Sequence, residues 1–385
     1  MKTRQKIIID NLFGTPLVYL INALARFLGF ILRIDHNLNR EFNTIVISKY
    51  VGLGSIIQAT PLIQTLRKRF PNAKIIFATR SSNQTLLKHI SEIDEVMVID
   101  DNNIFSVISS TAKFIFKLWN VKPELFIDLE YYSNYSSIVT TLSKATNRFG
   151  FYKQNKPYRK GVYNCLVGFS VDSPISEIYL QFADLLHIKG QIKNLKLEVQ
   201  EENYHETILE RTQLSVCDSY IVINPNASDL RVERRWPKYS YIDLINSILK
   251  NYPKHKVVLV GAKSETNYVA EIENEILDKT NLVNTAGKLS LSELIFLISK
   301  AALMISNDTG PMHIAFAVNT KTIALFGPCS PLQYGGFHAG EIFYKKVHCS
   351  PCVHKYLRPP CHGDNICMKS ISAEEVENAV FRHLS

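Results

Sequence analysis

The chain has 385 residues, of which 46% are hydrophobic and 21% charged, and its formal net charge is +9. This length suffices for two domains, and the composition excludes a disordered protein. The net positive charge favours an acidic partner such as an anionic lipid or a phosphorylated glycan. The sequence contains no RNA-binding or zinc-finger motif that would indicate nucleic acid. Seven cysteines, an odd number with four near the C-terminus, are typical of a reducing cytoplasm and not of a disulfide scaffold.

Residues 12–34 are the most apolar part of the chain and contain no Ala-x-Ala cleavage site, which argues against a signal peptide. Asn22, Arg26 and Arg33 fall on one face of a helix. The uncharged part before Arg26 is shorter than the roughly 20 residues that span a bilayer. The pattern predicts a helix lying on a membrane surface. The alternative is a helix that packs on the protein itself or contacts another subunit.

A repeated strand–helix pattern begins at residue 44 and predicts a parallel, doubly wound sheet. The first strand precedes a turn in which Gly52 and Gly54 allow a sharp bend and close contact with a ligand. The third glycine of a dinucleotide fingerprint would fall at Ile57, so that fingerprint is absent. Pro61 is expected to kink or restart the helix that follows.

Polar residues follow the strands of this first domain, at the edge where ligands bind in parallel sheets. Ser55 lies in the glycine-rich turn, and Glu130 ends a strand in which Asp128 points to the same face. The segment 151–172 is rich in Tyr, Lys and Arg. It predicts a loop suited to an anionic acceptor, or a basic loop that simply faces water.

The second domain is expected to begin with a strand over residues 220–224, followed by a turn that contains Asn226 and Ser228. Three arginines come next in the chain: Arg231, Arg234 and Arg235. Arginines beside the carboxyl end of a strand can neutralise a pyrophosphate. The alternative is a surface arginine cluster beside a core tryptophan, Trp236. Lys288 occupies a capped turn before a later helix.

The stretch Ser306–His313 carries the strongest ligand signal. An apolar run precedes it and predicts a buried strand, while Gly310 and Pro311 suit a tight turn and the first turn of a helix. The amino end of such a helix attracts anions, phosphates above all. His313 lies about one turn inside the helix. The alternative is an ordinary turn in which Asp308 caps the helix.

Four cysteines lie within a short segment near the C-terminus: Cys349, Cys352, Cys361 and Cys367. The first two form a C-x2-C pair, and four thiolates in one segment fit a tetrahedral zinc or iron site of structural purpose. Nearby histidines could replace one ligand: His348, His354 and His362. The alternatives are reduced, unpaired thiols or two disulfides.

Three of these features together resemble glycosyltransferase family 9, which contains the ADP-heptose:lipopolysaccharide heptosyltransferases. They are the stretch Ser306–His313, the sequence Leu325–Pro328 and the glycine-rich turn, and the resemblance covers residues 44–330. It implies an α/β fold of GT-B type, in which two Rossmann-like doubly wound domains face each other across a cleft, here preceded by an N-terminal apolar helix. The domains expected are 1–42 for the helix and linker, 43–195 for the acceptor, and 196–385 for the nucleotide sugar, with the cysteine-rich segment at 349–367.

The resemblance implies an inverting transfer of a sugar, usually heptose, from a nucleotide-diphosphate donor such as ADP-heptose. The acceptor would be a lipopolysaccharide-type or other lipid-linked glycan at the cytoplasmic face of the membrane, where the enzyme would be peripheral. No catalytic cofactor is expected, and Gly52 and Gly54 would form a loop on the acceptor side. The expected donor-binding residues are Asp308, Thr309, Gly310, His313, Arg234, Asn226, Ser228 and Lys288.

The chain departs from the family at the general base that inverting transfer needs. Family members often have an aspartate after the second glycine of the first loop, where this chain has Ser55. The hypothesis is that Glu130 is the base and Ser55 orients the acceptor, with Asp128 as a second carboxylate. Alternatively, Glu130 caps a helix or pairs with a lysine. The departure also leaves open an epimerase-like enzyme of the same fold, or a non-catalytic nucleotide-sugar-binding protein.

Overall fold

The computed structural model describes residues 8, 10–200, 204–215, 217–227, 231–336, 340–353, 355–356 and 359–384. These residues form two compact units. The first comprises Met1–Ser170 and Ile175–Asn194, and the second comprises Val171–Pro174 and Leu195–Ser385. Each unit is built on one six-stranded parallel sheet, which confirms the prediction of two α/β domains.

The sheet of the first unit has the strand order β3-β2-β1-β4-β5-β6. Its strands are β1 (Thr44–Ser48), β2 (Lys74–Arg80), β3 (Glu95–Ile99), β4 (Leu125–Asp128), β5 (Asn147–Phe151) and β6 (Cys165–Val167). Its α-helices are α1 (Thr15–Leu32), α2 (Leu53–Ile57), α3 (Thr60–Arg69), α4 (Gln84–Leu87), α5 (Ile104–Val121), α6 (Asn134–Leu142), α7 (Arg159–Val162) and α8 (Ile175–Leu185). The predicted interruption at Pro61 is confirmed, because α3 restarts with Pro61 in its first turn.

The sheet of the second unit has the order β12-β11-β10-β7-β8-β9. Its strands are β7 (Tyr220–Asn224), β8 (Lys256–Leu259), β9 (Leu282–Asn284), β10 (Leu303–Asn307), β11 (Thr322–Phe326) and β12 (Gly340–Tyr344). Its α-helices are α9 (Tyr204–Thr212), α10 (Lys238–Asn251), α11 (Thr266–Asn274), α12 (Leu291–Lys300), α13 (Gly310–Ala317), α14 (Pro331–Tyr334), α15 (Ile366–Lys369) and α16 (Ala373–Leu384).

In each sheet the strand order reverses between two central strands, and there the candidate polar residues meet. In the first unit Ser48 of β1 lies opposite Asp128 of β4. In the second unit Asn224 of β7 lies opposite Ser306 of β10. Ligands of open α/β sheets bind outside the carboxyl ends of strands at such a reversal. The strand pairing therefore predicts one ligand site in each unit, at the carboxyl ends of its two central strands.

The central strands are buried almost throughout and mostly apolar, with polar residues at their carboxyl ends, because helices cover both faces of each sheet. Every residue of β7, β10 and β11 is buried. Trp236, the largest buried side chain, packs edge-on against Tyr241, and its indole N–H donates to the carbonyl oxygen of Ile371 at 2.9 Å. Trp236 is therefore a core residue of the second unit.

The N-terminal helix α1 packs against α6 and α7 through one narrow face. Val18 and Asn22 are its buried residues, and Val18 belongs to a small core cluster with Tyr158 and Val162. Ahead of α1, the carboxylate of Asp10 accepts hydrogen bonds from the backbone N–H groups that open α6, at 2.8 and 2.7 Å. Burial raises the pKa of Asp10. These contacts attach the segment Asp10–Leu32 to the rest of the first unit.

The remaining surface of α1 is apolar and faces outwards. Its exposed large side chains include Leu17, Leu20, Leu24, Phe27, Leu28, Phe30, Ile31 and Leu32. By length and composition, the helical segment Asp10–Leu32 is long and apolar enough to cross a membrane. Little of its most apolar part is buried inside the structure. Of the predicted polar stripe, Asn22 is buried on the packed side and Arg26 also lies beside Gly161, whereas Arg33 is exposed.

Candidate functional site

The turn between β10 and α13 has the geometry that the sequence predicted. The strand ends at Asn307, and the helix begins at Gly310 with Pro311 in its first turn. Thr309 is the N-cap residue in extended backbone, and its hydroxyl accepts a hydrogen bond from the Asn224 amide at 2.8 Å. The amino end of a helix carries positive partial charge on its N–H groups. This turn can therefore bind the oxygens of a phosphate.

Three ionisable side chains meet beside this turn. The Arg234 Nη1 atom is 3.5 Å from Asp308 Oδ2 and donates to the Asp308 carbonyl oxygen at 3.3 Å. The His313 Nε2 atom is 3.9 Å from Asp308 Oδ1. Asp308 and His313 are almost fully buried. Asp308 therefore links a residue of the β7–α10 connection to a residue of α13, and it holds both near the helix terminus.

The Arg234 guanidinium is available for an anion. Burial alone would lower its pKa, but the neighbouring Cys329, Asp308 and Tyr334 outweigh that effect, so the pKa lies above its usual value and the group is charged. Among the residues that the structure describes, no partner accepts from Arg234 Nε. A charged guanidinium with a spare donor beside a helix terminus suits a diphosphate.

Other predicted donor residues are placed differently. Arg231 pairs with a neighbouring glutamate at 3.2 Å, and Arg235 lies over a tyrosine ring at 4.1 Å. Of the three arginines, Arg234 is the one that contacts Asp308. Lys288 is exposed at the turn before α12. Ser228 lies outside the described residues.

A network of asparagines braces the loops of this site. The Asn226 amide donates to Asn224 Oδ1 at 3.2 Å and to the carbonyl oxygen of Val260 at 2.9 Å. The Asn307 amide donates to the Asn226 carbonyl oxygen at 3.0 Å, and its Oδ1 accepts from the Trp236 backbone N–H at 3.1 Å. Asn224 and Asn307 were not anticipated from the sequence as residues of the site. Each of them is the last residue of a strand, and the two strands, β7 and β10, are adjacent in the sheet. This repeated asparagine was the sequence feature that could have identified them.

In the first unit both carboxylate oxygens of Glu130 have hydrogen-bond or ion-pair partners. One oxygen accepts from the backbone N–H groups of Tyr50 and Val51 at 2.7 and 2.8 Å, and the other pairs with Lys49 Nζ at 3.0 Å. Glu130 is 4% exposed. These contacts fasten the connection after β1 to the end of β4. They favour the alternative interpretation, in which Glu130 pairs with a lysine, and its role as general base stays a prediction.

Asp128 lies deeper than Glu130 and is also fully bonded. Its oxygens accept from the Tyr163 hydroxyl at 2.5 Å, the Ser48 hydroxyl at 3.1 Å and the Glu130 backbone N–H at 3.0 Å. Burial raises the pKa of Asp128, and Arg159 opposes that rise. Asp128 has no exposed surface and supports the strand end, and its role as a second catalytic carboxylate stays a prediction. Tyr163 was not anticipated from the sequence.

The glycine-rich turn requires the backbone that only glycine adopts easily. Gly52 has φ +92°, and a Cβ there would lie 3.1 Å from the Ser55 hydroxyl. Gly54 and Ser55 both belong to α2, and Ser55 is half-buried with a hydrogen bond to Tyr179. The first unit therefore places Ser55 at the end of β1, close in sequence to the residues that Glu130 holds.

Basic and aromatic side chains of the segment after β5 gather beside the same strand ends. Lys153 Nζ lies over the rings of Tyr131 and Tyr132, at 4.7 and 4.2 Å from their centroids. Lys156 Nζ donates to the Tyr132 carbonyl oxygen at 2.8 Å. Burial, with the charges of Arg159 and Lys153, lowers the pKa of Lys156 to about 8. The group is positively charged and confined, which suits an anionic ligand.

The predicted metal site at the four cysteines is not supported. In the ranges that the structure describes, no three Cys, His, Asp or Glu side chains converge closely enough to hold a metal ion. All four cysteines are free thiols. Cys367 packs in the core cluster of the second unit beside Gly327, and burial raises its thiol pKa to about 11. Of the histidines considered as substitute ligands, His354 lies outside the described residues.

Comparison with known proteins agrees with this architecture. The family described as glycosyltransferase family 9 (heptosyltransferase) matches residues 112–361. Lipooligosaccharide heptosyltransferase 2 of Campylobacter jejuni is 25% identical over 330 residues, which cover 84% of this chain and 93% of that protein. The chain thus has the fold of a glycosyltransferase with two Rossmann-like units. It belongs to glycosyltransferase family 9.

Two solved structures show the same fold. A family 9 glycosyl transferase from Veillonella parvula has a TM-score of 0.74 and 21% identity, and the match covers 89% of this chain and 97% of that one. The ADP-heptose lipopolysaccharide heptosyltransferase II of Escherichia coli has a TM-score of 0.71 and 21% identity, with coverages of 89% and 98%.

Proposed function

We propose that this protein transfers heptose from ADP-heptose to the core of a lipopolysaccharide or lipooligosaccharide. The observation that carries the proposal is the cluster of Arg234, Asp308 and His313 at the amino end of α13. Family membership and the names of the relatives that match most of the chain support the same activity. An epimerase-like or non-catalytic role has no comparable support.

The donor diphosphate binds at the second unit in this proposal. Its oxygens accept from the N–H groups that open α13 and from Arg234, while Asp308 keeps Arg234 and His313 in place. Negative charge develops on the diphosphate as the bond to the sugar breaks, and a fixed guanidinium with a helix terminus stabilises it. The chain's own cations can therefore supply the stabilisation of the leaving group. Lys288 and Thr309 complete the proposed donor site.

The acceptor binds at the first unit in this proposal, at the carboxyl ends of β1 and β4. Lys153 and Lys156 supply positive charge for a phosphorylated inner core, and Tyr131 and Tyr132 supply flat surfaces against which sugar rings pack. Gly52 and Gly54 allow the acceptor to approach the backbone. Glu130 keeps this turn in shape through its bonds to Tyr50 and Val51.

Attachment to the cytoplasmic face of the membrane belongs to the same proposal. The exposed apolar surface of α1 would lie in the interfacial region, where a helix buries its apolar side parallel to the bilayer. The packing of Val18 and Asn22 on the first unit supports a helix lying on the surface, because it keeps α1 beside the folded domain. A lipid-linked acceptor would then be within reach of the enzyme.

Turnover with ADP-heptose and a heptose-deficient lipopolysaccharide core tests the proposal. The full chain should release ADP only when both substrates are present, and mass spectrometry should show the acceptor heavier by one heptose. ADP-mannose and UDP-glucose serve as control donors. Tight ADP binding without transfer to any core acceptor would contradict the enzymatic role and support a binding protein instead.

A further inference from the structure

We infer that the outer face of α5 is a second membrane contact of the first unit, for a bilayer that contains anionic phospholipid. This rests on the proposed membrane attachment but concerns a different helix. The helix buries Phe114, Ile115 and Leu118 against the sheet. Beside this buried face the helix exposes large apolar groups that need an explanation: Ile104 and Ile108 near its amino end, and Phe105, Phe116 and Trp119.

The exposed groups of α5 form one stripe. Phe105, Ile108, Phe116 and Trp119 are spaced by 3, 8 and 3 residues, which puts them within one side of a helix of 3.6 residues per turn. Phe105 is 79% exposed, and Ile108 and Phe116 are each 61% exposed. Single exposed apolar residues are normal on a protein surface, but a continuous stripe marks an interaction site.

The chemistry of the stripe fits a lipid surface. Neither α5 nor α1 contains an acidic residue. Lys113 lies on α5 and Lys122 directly after it, Lys117 of the same helix pairs with Glu95, and Lys144 Nζ lies 4.1 Å from the centre of the Trp119 ring. Aromatic side chains with neighbouring lysines are typical of the region between lipid headgroups and acyl chains. Anionic lipid adds attraction to each lysine.

Both apolar helices pack against α6. α5 contacts α6 through a hydrogen bond between the hydroxyls of Thr111 and Tyr135 at 2.7 Å and through Trp119 Nε1, which donates to the Leu142 carbonyl oxygen at 2.7 Å. α1 packs on α6 as well. In this inference one bilayer meets both helices, which would fix the orientation of the first unit on the membrane.

The natural tryptophans provide a probe. The chain has two, and Trp236 is buried in the core of the second unit while Trp119 is 37% exposed on the stripe. Vesicles of phosphatidylcholine and phosphatidylglycerol should shift the emission of the full chain to shorter wavelength, and brominated lipids should quench it. Trp119→Phe should abolish the quenching while the protein still sediments with vesicles.

Vesicle sedimentation measures the contribution of the stripe. The triple variant Phe105→Ser, Ile108→Ser, Phe116→Ser should bind anionic vesicles about tenfold more weakly than the parent, since three apolar side chains no longer enter the interface. A control on the second unit, Leu277→Ser with Leu332→Ser, should bind like the parent, because these residues are also exposed but lie outside the stripe.

The outcomes separate this inference from the proposed membrane attachment. If the parent does not bind anionic vesicles at all, both fail. If the parent binds and the α5 triple variant binds equally well, while Phe27→Ser with Phe30→Ser on α1 releases the protein, only the inference about α5 is overturned. If ultracentrifugation shows a dimer that the α5 variant dissociates with no change in vesicle binding, the stripe is an interface between copies and the lipid assignment is wrong.

Discussion

Arg234 is the residue through which the donor site is tested most directly. Arg234→Met removes the charge and keeps much of the side-chain length. Calorimetry should show ADP binding about ten- to a hundredfold weaker, because a charged hydrogen bond contributes about 1.5–3 kcal/mol. Arg231→Met is the matched control: it removes an arginine three positions earlier that is paired with a glutamate. Equal losses in both variants would mean that general charge, and not the Asp308 site, holds the nucleotide.

The role of Glu130 can be decided by comparing it with its partner Lys49. Glu130→Gln and Lys49→Met each break the buried pair at the turn after β1. If Glu130 positions the turn, both variants should lower kcat by similar factors and leave the pH–rate profile in place. If Glu130 is the general base, Glu130→Gln alone should lower kcat by about two orders of magnitude or more and abolish the acid limb of the profile. ADP binding, measured in parallel, should stay unchanged in both.

We expect Lys156 to make acceptor recognition depend on pH. Burial and the charges of Arg159 and Lys153 lower its pKa from the ordinary 10.5 to about 8. Its positive charge is therefore present below about pH 8 and lost as the pH rises through that value. We expect KM for a phosphorylated acceptor to rise above pH 8 while KM for the donor stays constant. In Lys156→Met the acceptor KM should be raised at all pH values and should no longer change near pH 8.

A dephosphorylated acceptor is the control for the Lys156 experiment, because it offers no anion for the lysine to pair with. Its KM should be nearly the same in the parent and in Lys156→Met. If the parent's acceptor KM is flat from pH 7 to 9.5, Lys156 does not bind the acceptor phosphate.

At the scale of elements, the apolar strands and the turn after β10 could be predicted from local pattern alone. Runs of buried β-branched and apolar residues identify central parallel strands, and Gly310-Pro311 identifies the start of α13. The asparagine network could not be predicted in this way. Asn224 and Asn307 lie 83 positions apart in sequence, and only the adjacency of β7 and β10 joins them.

Glu130 shows why the position of a carboxylate in the sequence does not by itself define its role. Glu130 has the position of a catalytic base in the sequence, at the end of a strand. What decides its role is the number of donors that reach it, and those donors come from residues about 80 positions earlier. The cysteine-rich segment is a second example: among the described residues no three possible ligands are close enough to hold a metal ion, and Cys367 packs in the core of the second unit.

At the scale of the whole molecule, each unit has its own sheet and its own core cluster. A ligand that binds one unit should therefore stabilise that unit first, by RT ln(1 + [L]/Kd), or about 2.7 kcal/mol at a hundredfold excess over Kd. We expect ADP to slow hydrogen exchange in β7, β10 and α13, which carry the proposed donor site. Peptides from β1 to β6 should exchange at the same rate with and without ADP. Arg234→Met should reduce the protection at the same ADP concentration, whereas Arg231→Met should not. Protection by ADP confined to the first unit would place the nucleotide in the other sheet and overturn the assignment of donor and acceptor.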